Sequence, residues 1–371
     1  MDLAELFINQ KGFNSMNENN VDSEKVKCLS ISDYVRDYLK TAVVPDMKPL
    51  SNSGFRGCRQ PLVSIDKIVF IIDLPYNNKN FMDKFWKEFK IYFHDSQTRY
   101  YPDGTMHYHY HCRLFDQFDI QWGFRDDLTN CHVRIEANPN TCDFTLLSRL
   151  FFALSILKLQ AIRYTRIDYA VDYFQTLRSE LFNDSGKRKY DVHGSDKHGV
   201  ETLYLGGVQS AKFIRVYNKK LEFEVNHKKQ DGIILGFDCF RIESVTRTQS
   251  GVLPADNPFL NLTYYDKIIT PDAKGVLISE YVGKFGVSAL KGICSRGEWR
   301  EWKNKYFNSS YRINVAAVFE DQINSVYFKF VRDICSSMSN DIIDQSKLVN
   351  LFSCAWQCRK GWNTSKMYDD N

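Results

Sequence analysis

The chain has 371 residues, of which 43% are hydrophobic and 15% aromatic, a globular composition that excludes an intrinsically disordered protein. Its formal net charge is +4, mildly basic, which permits a nucleic-acid partner without requiring one. Ten cysteines form no Cys-x-x-Cys pair, and the nearest approach, Cys354 and Cys358, suits two neighbours on a helix better than a zinc knuckle.

Residues 1–60 are mixed and polar and read as an N-terminal extension, with one amphipathic helix candidate, SISDYVRDYLKTAV. The segment VSIDKIVFIIDLP predicts a strand and NFMDKFWKEFKIYF a helix. Three strands are expected next, in MHYHYHCRLF, FDIQWGF and CHVRIEANP. An apolar helix runs over Leu146–Leu159; Arg149 and Lys158 interrupt it, so it reads as buried rather than membrane-spanning. Further strands are expected in YTRIDYAVDYF, VETLYLGG, AKFIRVYNKKLEFEV and DCFRIESVTRT. Residues 61–250 thus form one expected domain, and residues 251–371 a mainly helical, basic and aromatic region. The start, MDLAELFINQKGF, has no basic segment leading into an apolar core, and scattered cysteines suit reduced thiols, so the expected location is the cytoplasm, without a membrane partner.

The strands have a useful parity. In HVRIEAN, Arg134 and Glu136 share a face; in TRIDYAVDY, Arg166, Asp168, Ala170 and Asp172 do; in KFIRVYN, Phe213, Arg215 and Tyr217 do. The expected fold is α+β, an antiparallel-rich sheet with helices on one face and charge on the other. Arginine beside carboxylate also has a plain structural explanation, cross-strand ion pairs on a solvated face.

The stretch HYHYH places His107, His109 and His111 on one face of a strand, a pattern that invites a metal ion. A strand with mildly polar faces explains it as well. One of the three histidines would supply a ligand if this strand lay beside VRIEANP in the sheet.

The segments VRIEANPN, TRIDYAVDY, LYLGGVQSAKFIRVYNKKLE and FRIES, in that order, resemble the replication-initiation family of rolling-circle plasmids, staphylococcal type. Relaxases of conjugative elements share its core. The resemblance covers roughly residues 60–250 and is densest from Tyr204 to Glu222. It implies a fold related to the HUH nickases. It also implies a site-specific nickase that joins a DNA 5′-phosphate to a tyrosine, here Tyr217, and later religates. Its metal ligands are acidic and fall on Glu136, Asp168 and Asp172, so HYHYH lies outside the matching motifs. A homodimer and a host helicase are implied as partners beside single-stranded and duplex DNA. A conjugative relaxase shares this chemistry, and a DNA-binding regulator that has lost catalysis is the alternative of another class.

Chemistry agrees with those roles. A phenol needs help to attack as phenolate, and Lys220, three residues beyond Tyr217, would share its face if the chain turned helical there. Carboxylates select Mg²⁺ or Mn²⁺, which would polarise the phosphodiester. Asp168 and Asp172 stand about 13 Å apart in a flat strand, so Asp168 with Glu136 on a neighbouring strand is favoured, and Asp172 and Glu243 remain candidates for the rest of the shell. Arg134, Arg166, Arg215 and Lys219 are expected on DNA phosphates. Lys303, Lys305 and Arg312, interleaved with Trp302, Tyr306 and Phe307, suit DNA contact or an ordinary amphipathic helix.

Overall fold

The computed structural model describes residues 27–30, 61–74, 97–100, 110–114, 118–123, 131–138, 161–186, 189–195, 199–248, 256–309 and 313–323. Its strands are β1 (Lys27–Leu29), β2 (Leu62–Leu74), β3 (Gln97–Tyr100), β4 (Tyr110–Leu114), β5 (Phe118–Gly123), β6 (Cys131–Ala137), β7 (Ala161–Tyr173) and β8 (Phe182–Asp184). They continue with β9 (Tyr190–Ser195), β10 (Gly199–Leu205), β11 (Lys212–Asn218), β12 (Ile233–Leu235), β13 (Phe240–Arg247), β14 (Leu262–Ile268) and β15 (Phe307–Ser309). The helices are α1 (Lys219–Asp231), α2 (Ala273–Phe285), α3 (Val287–Ile293), α4 (Arg296–Tyr306) and α5 (Val315–Ile323). The expected helices in SISDYVRDYLKTAV, NFMDKFWKEFKIYF and Leu146–Leu159 lie outside the described residues, Ser30 apart.

Among the described residues, ten strands pair into one antiparallel sheet in the order β3-β4-β5-β6-β2-β7-β13-β11-β10-β9. Alternation gives it two unlike faces. Ile135 of β6, Ile167, Tyr169 and Val171 of β7, Ile214 and Val216 of β11 and Ile242 of β13 enter one apolar core. Phe259, Tyr264, Ile278, Val282, Leu290, Tyr306, Val315 and Phe319 enter the same core, so the chain beyond residue 251 covers the apolar face as far as α5. Aromatic contacts tie the layers together. Phe182 stacks on Phe240 with ring centres 5.9 Å apart, and Tyr169 meets Phe319 edge-on at 5.0 Å.

Local signals start and stop the helices. The Asn218 side chain accepts a hydrogen bond from the Leu221 amide, which caps α1, and Gly232 ends it at φ 62°. Ser295 and Glu298 form a reciprocal capping box on α4. Helix α5 is locked to the start of β2 by Gln322. Its side-chain oxygen accepts from the Val63 amide and its nitrogen donates to the Pro61 carbonyl, both at 2.9 Å. Gln322 is buried, so Gln322→Ala would leave two backbone groups without partners and should cost about 1–3 kcal/mol. A urea-denaturation midpoint checks this; an unchanged midpoint would mean that α5 does not hold β2.

Candidate active site

The sheet's other face carries charge. On β7 it presents Arg166, Asp168, Ala170 and Asp172; these stand opposite Arg247, Val245, Glu243 and Arg241 of β13. On β11, Phe213, Arg215 and Tyr217 stand opposite Val245, Glu243 and Arg241. On the other side of β7, strand β2 breaks its alternation. The register slips between Ile65 and Lys67, a β-bulge that turns both Asp66 and Lys67 to the charged face, where they meet Arg241 and Glu136. The core positions of β2 change parity across the slip, from Val63 and Ile65 to Ile68, Phe70 and Ile72.

Ion pairs cross this face. Arg241, fully buried, donates from Nε to Asp172 Oδ1 at 2.6 Å, from one Nη to Asp172 Oδ2 at 2.8 Å and from the other to Asp66 Oδ1 at 2.8 Å. Arg215 donates to Glu243 Oε2 at 2.6 Å, and Arg166 grips Asp168 with two bonds of 2.7 and 2.6 Å. Lys67 and Arg134 both reach Glu136. Such paired geometry offsets the cost of burying these charges. Burial pushes Asp66 up, yet Arg241, Lys219 and Arg215 outweigh it and hold the carboxyl below its usual range. Burial raises Glu243, and the like charge of Asp66 adds to that against the opposing pull of Arg215. Burial likewise raises Asp168, despite Arg166.

Tyr217 sits among these groups with 5% of its surface exposed. Its hydroxyl donates to Glu243 Oε2 at 3.4 Å, longer than a strong hydroxyl bond. The Arg215 guanidinium lies 4.7 Å from the ring centre and the Lys219 ammonium 6.0 Å. Burial pushes the phenol well above its ordinary range, while Arg241 and Arg215 pull it down. Arg215 Nε is buried with no hydrogen-bond partner among the described residues.

Part of the face is roofed, which corrects the expectation of helices on one face only. Leu62 stands on the charged face opposite Asp172 and packs with Phe223 of α1, Leu235 of β12, Leu29 of β1 and Cys239 in a second apolar cluster. The parallel β1–β12 pair and α1 therefore cover the end of the face that holds Asp172, Arg241 and Tyr217.

The expected metal trio is not brought together. Strand β2 lies between β6 and β7, so Glu136 and Asp168 stand two strand spacings apart, about 9.6 Å, and are not on adjacent strands. The Lys67 side chain fills that gap and pairs with Glu136, while Arg241 holds both oxygens of Asp172. Glu136, Asp168 and Asp172 do not fit one ion, and no group of three ligating side chains occurs among the described residues. Glu243, the fourth candidate, bonds to Arg215 and Tyr217 and lies near enough to Asp66 and Asp168 to feel both charges.

Other expected residues take different places. Helix α1 begins at Lys219, which puts Lys219 rather than Lys220 against Tyr217; Lys220 faces the exposed Asp238 at 3.5 Å. Strand β5 separates β4 from β6, so the HYHYH strand is not beside VRIEANP; His111 pairs with Asp119 at 2.9 Å, and His107 and His109 lie outside the described residues. Arg134 and Arg166 are held by carboxylates. On α4, Trp299, Trp302 and Tyr306 turn inward, Lys305 pairs with Asp272 at 2.8 Å, and Lys303 is exposed; Arg312 lies outside the described residues. Asp66, Lys67 and Arg241 were missed. Their signal was two adjacent charges inside the apolar run VSIDKIVF and an arginine that shares the parity of Glu243 in FRIES.

No protein-family model matches the chain, and no curated protein does. A solved structure of a rolling-circle replication initiator protein from Geobacillus stearothermophilus is similar over 60% of this chain and 96% of that chain, at 14% identity and a TM-score of 0.36. A likeness at that level does not bear on the residues of the site.

Proposed function

We propose that the chain is a DNA strand transferase that nicks one strand at an origin and carries the 5′ end on Tyr217, as an initiator of rolling-circle replication. The observation that supports it is a tyrosine hydroxyl on a buried carboxylate, flanked by cations, inside the motif that resembles that family. Glu243, a stronger base than an exposed glutamate because burial raises it, accepts the phenol proton. Arg241, Arg215 and Lys219 stabilise the phenolate, which burial otherwise disfavours. The unpartnered Arg215 Nε–H then donates to an oxygen of the scissile phosphate. The phenolate forms a bond to phosphorus and the 3′-oxygen of the preceding nucleotide leaves. A phosphotyrosine ester stores the bond for religation, which hydrolysis would lose. Tyr217 is shielded, so DNA entry has to displace part of the roof formed by α1 and its neighbours.

Mg²⁺ or Mn²⁺, the cofactor the resemblance implies, would polarise the phosphodiester if bound; Glu136, Asp168 and Asp172 do not form one site for it, and the roles given above to Glu243, Arg215, Arg241 and Lys219 do not pass through it. The test uses 3′-labelled single-stranded fragments tiling the DNA that encodes and flanks the chain. Label should move with the protein on a denaturing gel, vanish with EDTA and return with Mn²⁺. Adduct that survives EDTA would assign the polarisation to the arginines and Lys219; cleavage with no protein-linked label would remove the tyrosine mechanism. A conjugative relaxase uses the same chemistry, and no residue of the site favours it over the initiator.

A further inference from the structure

Away from the roof, the charged face changes character. Arg247 of β13 stands directly opposite Arg166 of β7, a like-charge cross-strand pair that costs stability unless an anion sits there. Arg166 holds Asp168 with two bonds; the Arg247 guanidinium is held by the neutral Val208 and Ser210 carbonyls, at 2.9 and 2.7 Å, and shares the single Asp168 charge with Arg166, so two guanidiniums face one carboxylate. Burial lowers Arg247, and the charge of Arg166 lowers it further against the opposing pull of Asp168. The same guanidinium lies 5.4 Å over the ring of Phe213, which shares the charged face with Arg215 and Tyr217. Phe213 in turn backs the half-buried ring of Tyr204 at 6.3 Å, and the exposed His193 meets Tyr204 edge-on at 5.3 Å. Phe213 is four residues from Tyr217 along β11, roughly 13 Å.

We infer that Arg166, Arg247 and the Tyr204 ring, backed by Phe213, form a subsite for single-stranded nucleic acid beside the reacting phosphate: the two guanidiniums take a backbone phosphate and Tyr204 stacks an unpaired base. A paired base hides its faces within the duplex, whereas an unpaired one offers them to a ring, so the occupant is a single strand. This inference rests on the strand-transfer reading and adds to it where the strand lies next to the nick.

The test is fluorescence anisotropy of a labelled oligothymidylate, titrated with salt, on the full chain. Tyr204→Leu keeps apolar contact with Phe213 but removes the stacking ring; affinity should fall roughly five- to hundredfold with an unchanged salt slope. Arg247→Gln should lower the slope of log affinity against log salt by about 0.7, and Arg247→Lys should restore it. Thermal melting of each variant separates loss of binding from loss of fold. Unchanged affinity in folded Tyr204→Leu, or an unchanged slope in Arg247→Gln, overturns the subsite while leaving strand transfer standing. A wild-type chain with no affinity for the oligothymidylate overturns the subsite as well, whereas the strand-transfer reading itself fails only if no protein-linked label forms on any tiled fragment.

Discussion

Replacing Tyr217 by phenylalanine is expected to abolish the protein–DNA adduct while leaving the fold and DNA binding nearly intact. The substitution removes one oxygen, whose bond to Glu243 at 3.4 Å is weak, so stability should change by no more than about 1 kcal/mol. The ring keeps its packing and its place beside Arg215 and Lys219. What disappears is the atom that attacks. Glu243→Gln is the companion variant: it cannot take the phenol proton and should slow adduct formation by about a hundredfold or more. Wild-type rates in Glu243→Gln would take that carboxylate out of the proton's path.

The second large effect is structural. Arg241→Met should destabilise the chain by about 3–5 kcal/mol, because it strands Asp172, which is fully buried, and frees Asp66 from its partner. Adding Asp172→Leu should recover part of the loss, since a hydrophobic pair of similar volume tolerates the site better than a lone carboxylate. The pH dependence has a definite sign. Asp66 is held below its usual range in the fold, so in the wild type its contribution is present above the ordinary aspartate value and is lost as pH falls through the folded value. Without Arg241 that depression is weakened, and the gap between variant and wild type should narrow toward low pH. Urea denaturation across the acid range measures this; a constant gap, or a loss under about 1 kcal/mol, would mean that the buried network does not hold this face together.

The alternation of charged and apolar residues made much of this face legible. Arg166, Asp168 and Asp172 share it, as do Arg215 and Tyr217, because a strand's period of two leaves little freedom once one face is buried. Strand order was not legible. That β2 runs between β6 and β7 depends on pairing across about a hundred residues, and this is what separates Glu136 from Asp168. The bulge at Asp66–Lys67 was visible as a break in parity but reads equally as two surface charges. Lys219 rather than Lys220 meets Tyr217 because the helix starts just after Asn218, its cap, and Lys219 is the first residue past the turn. The roof over Tyr217 joins β1, Leu62, α1 and β12, residues far apart in sequence, whose small apolar cluster carries no periodic signal of its own.

The most direct measurement is the identity of the residue that carries DNA. The wild-type adduct, formed on a fragment that is cleaved, is digested with nuclease and protease, and the nucleotide-bearing peptide is sequenced by mass spectrometry. The expected result is a 5′-phosphonucleotide on Tyr217, in the peptide that contains Arg215-Val216-Tyr217-Asn218. A nucleotide on Tyr204, on Tyr264 or on any other residue would contradict the assignment of the nucleophile and the roles given to Glu243, Arg215 and Arg241.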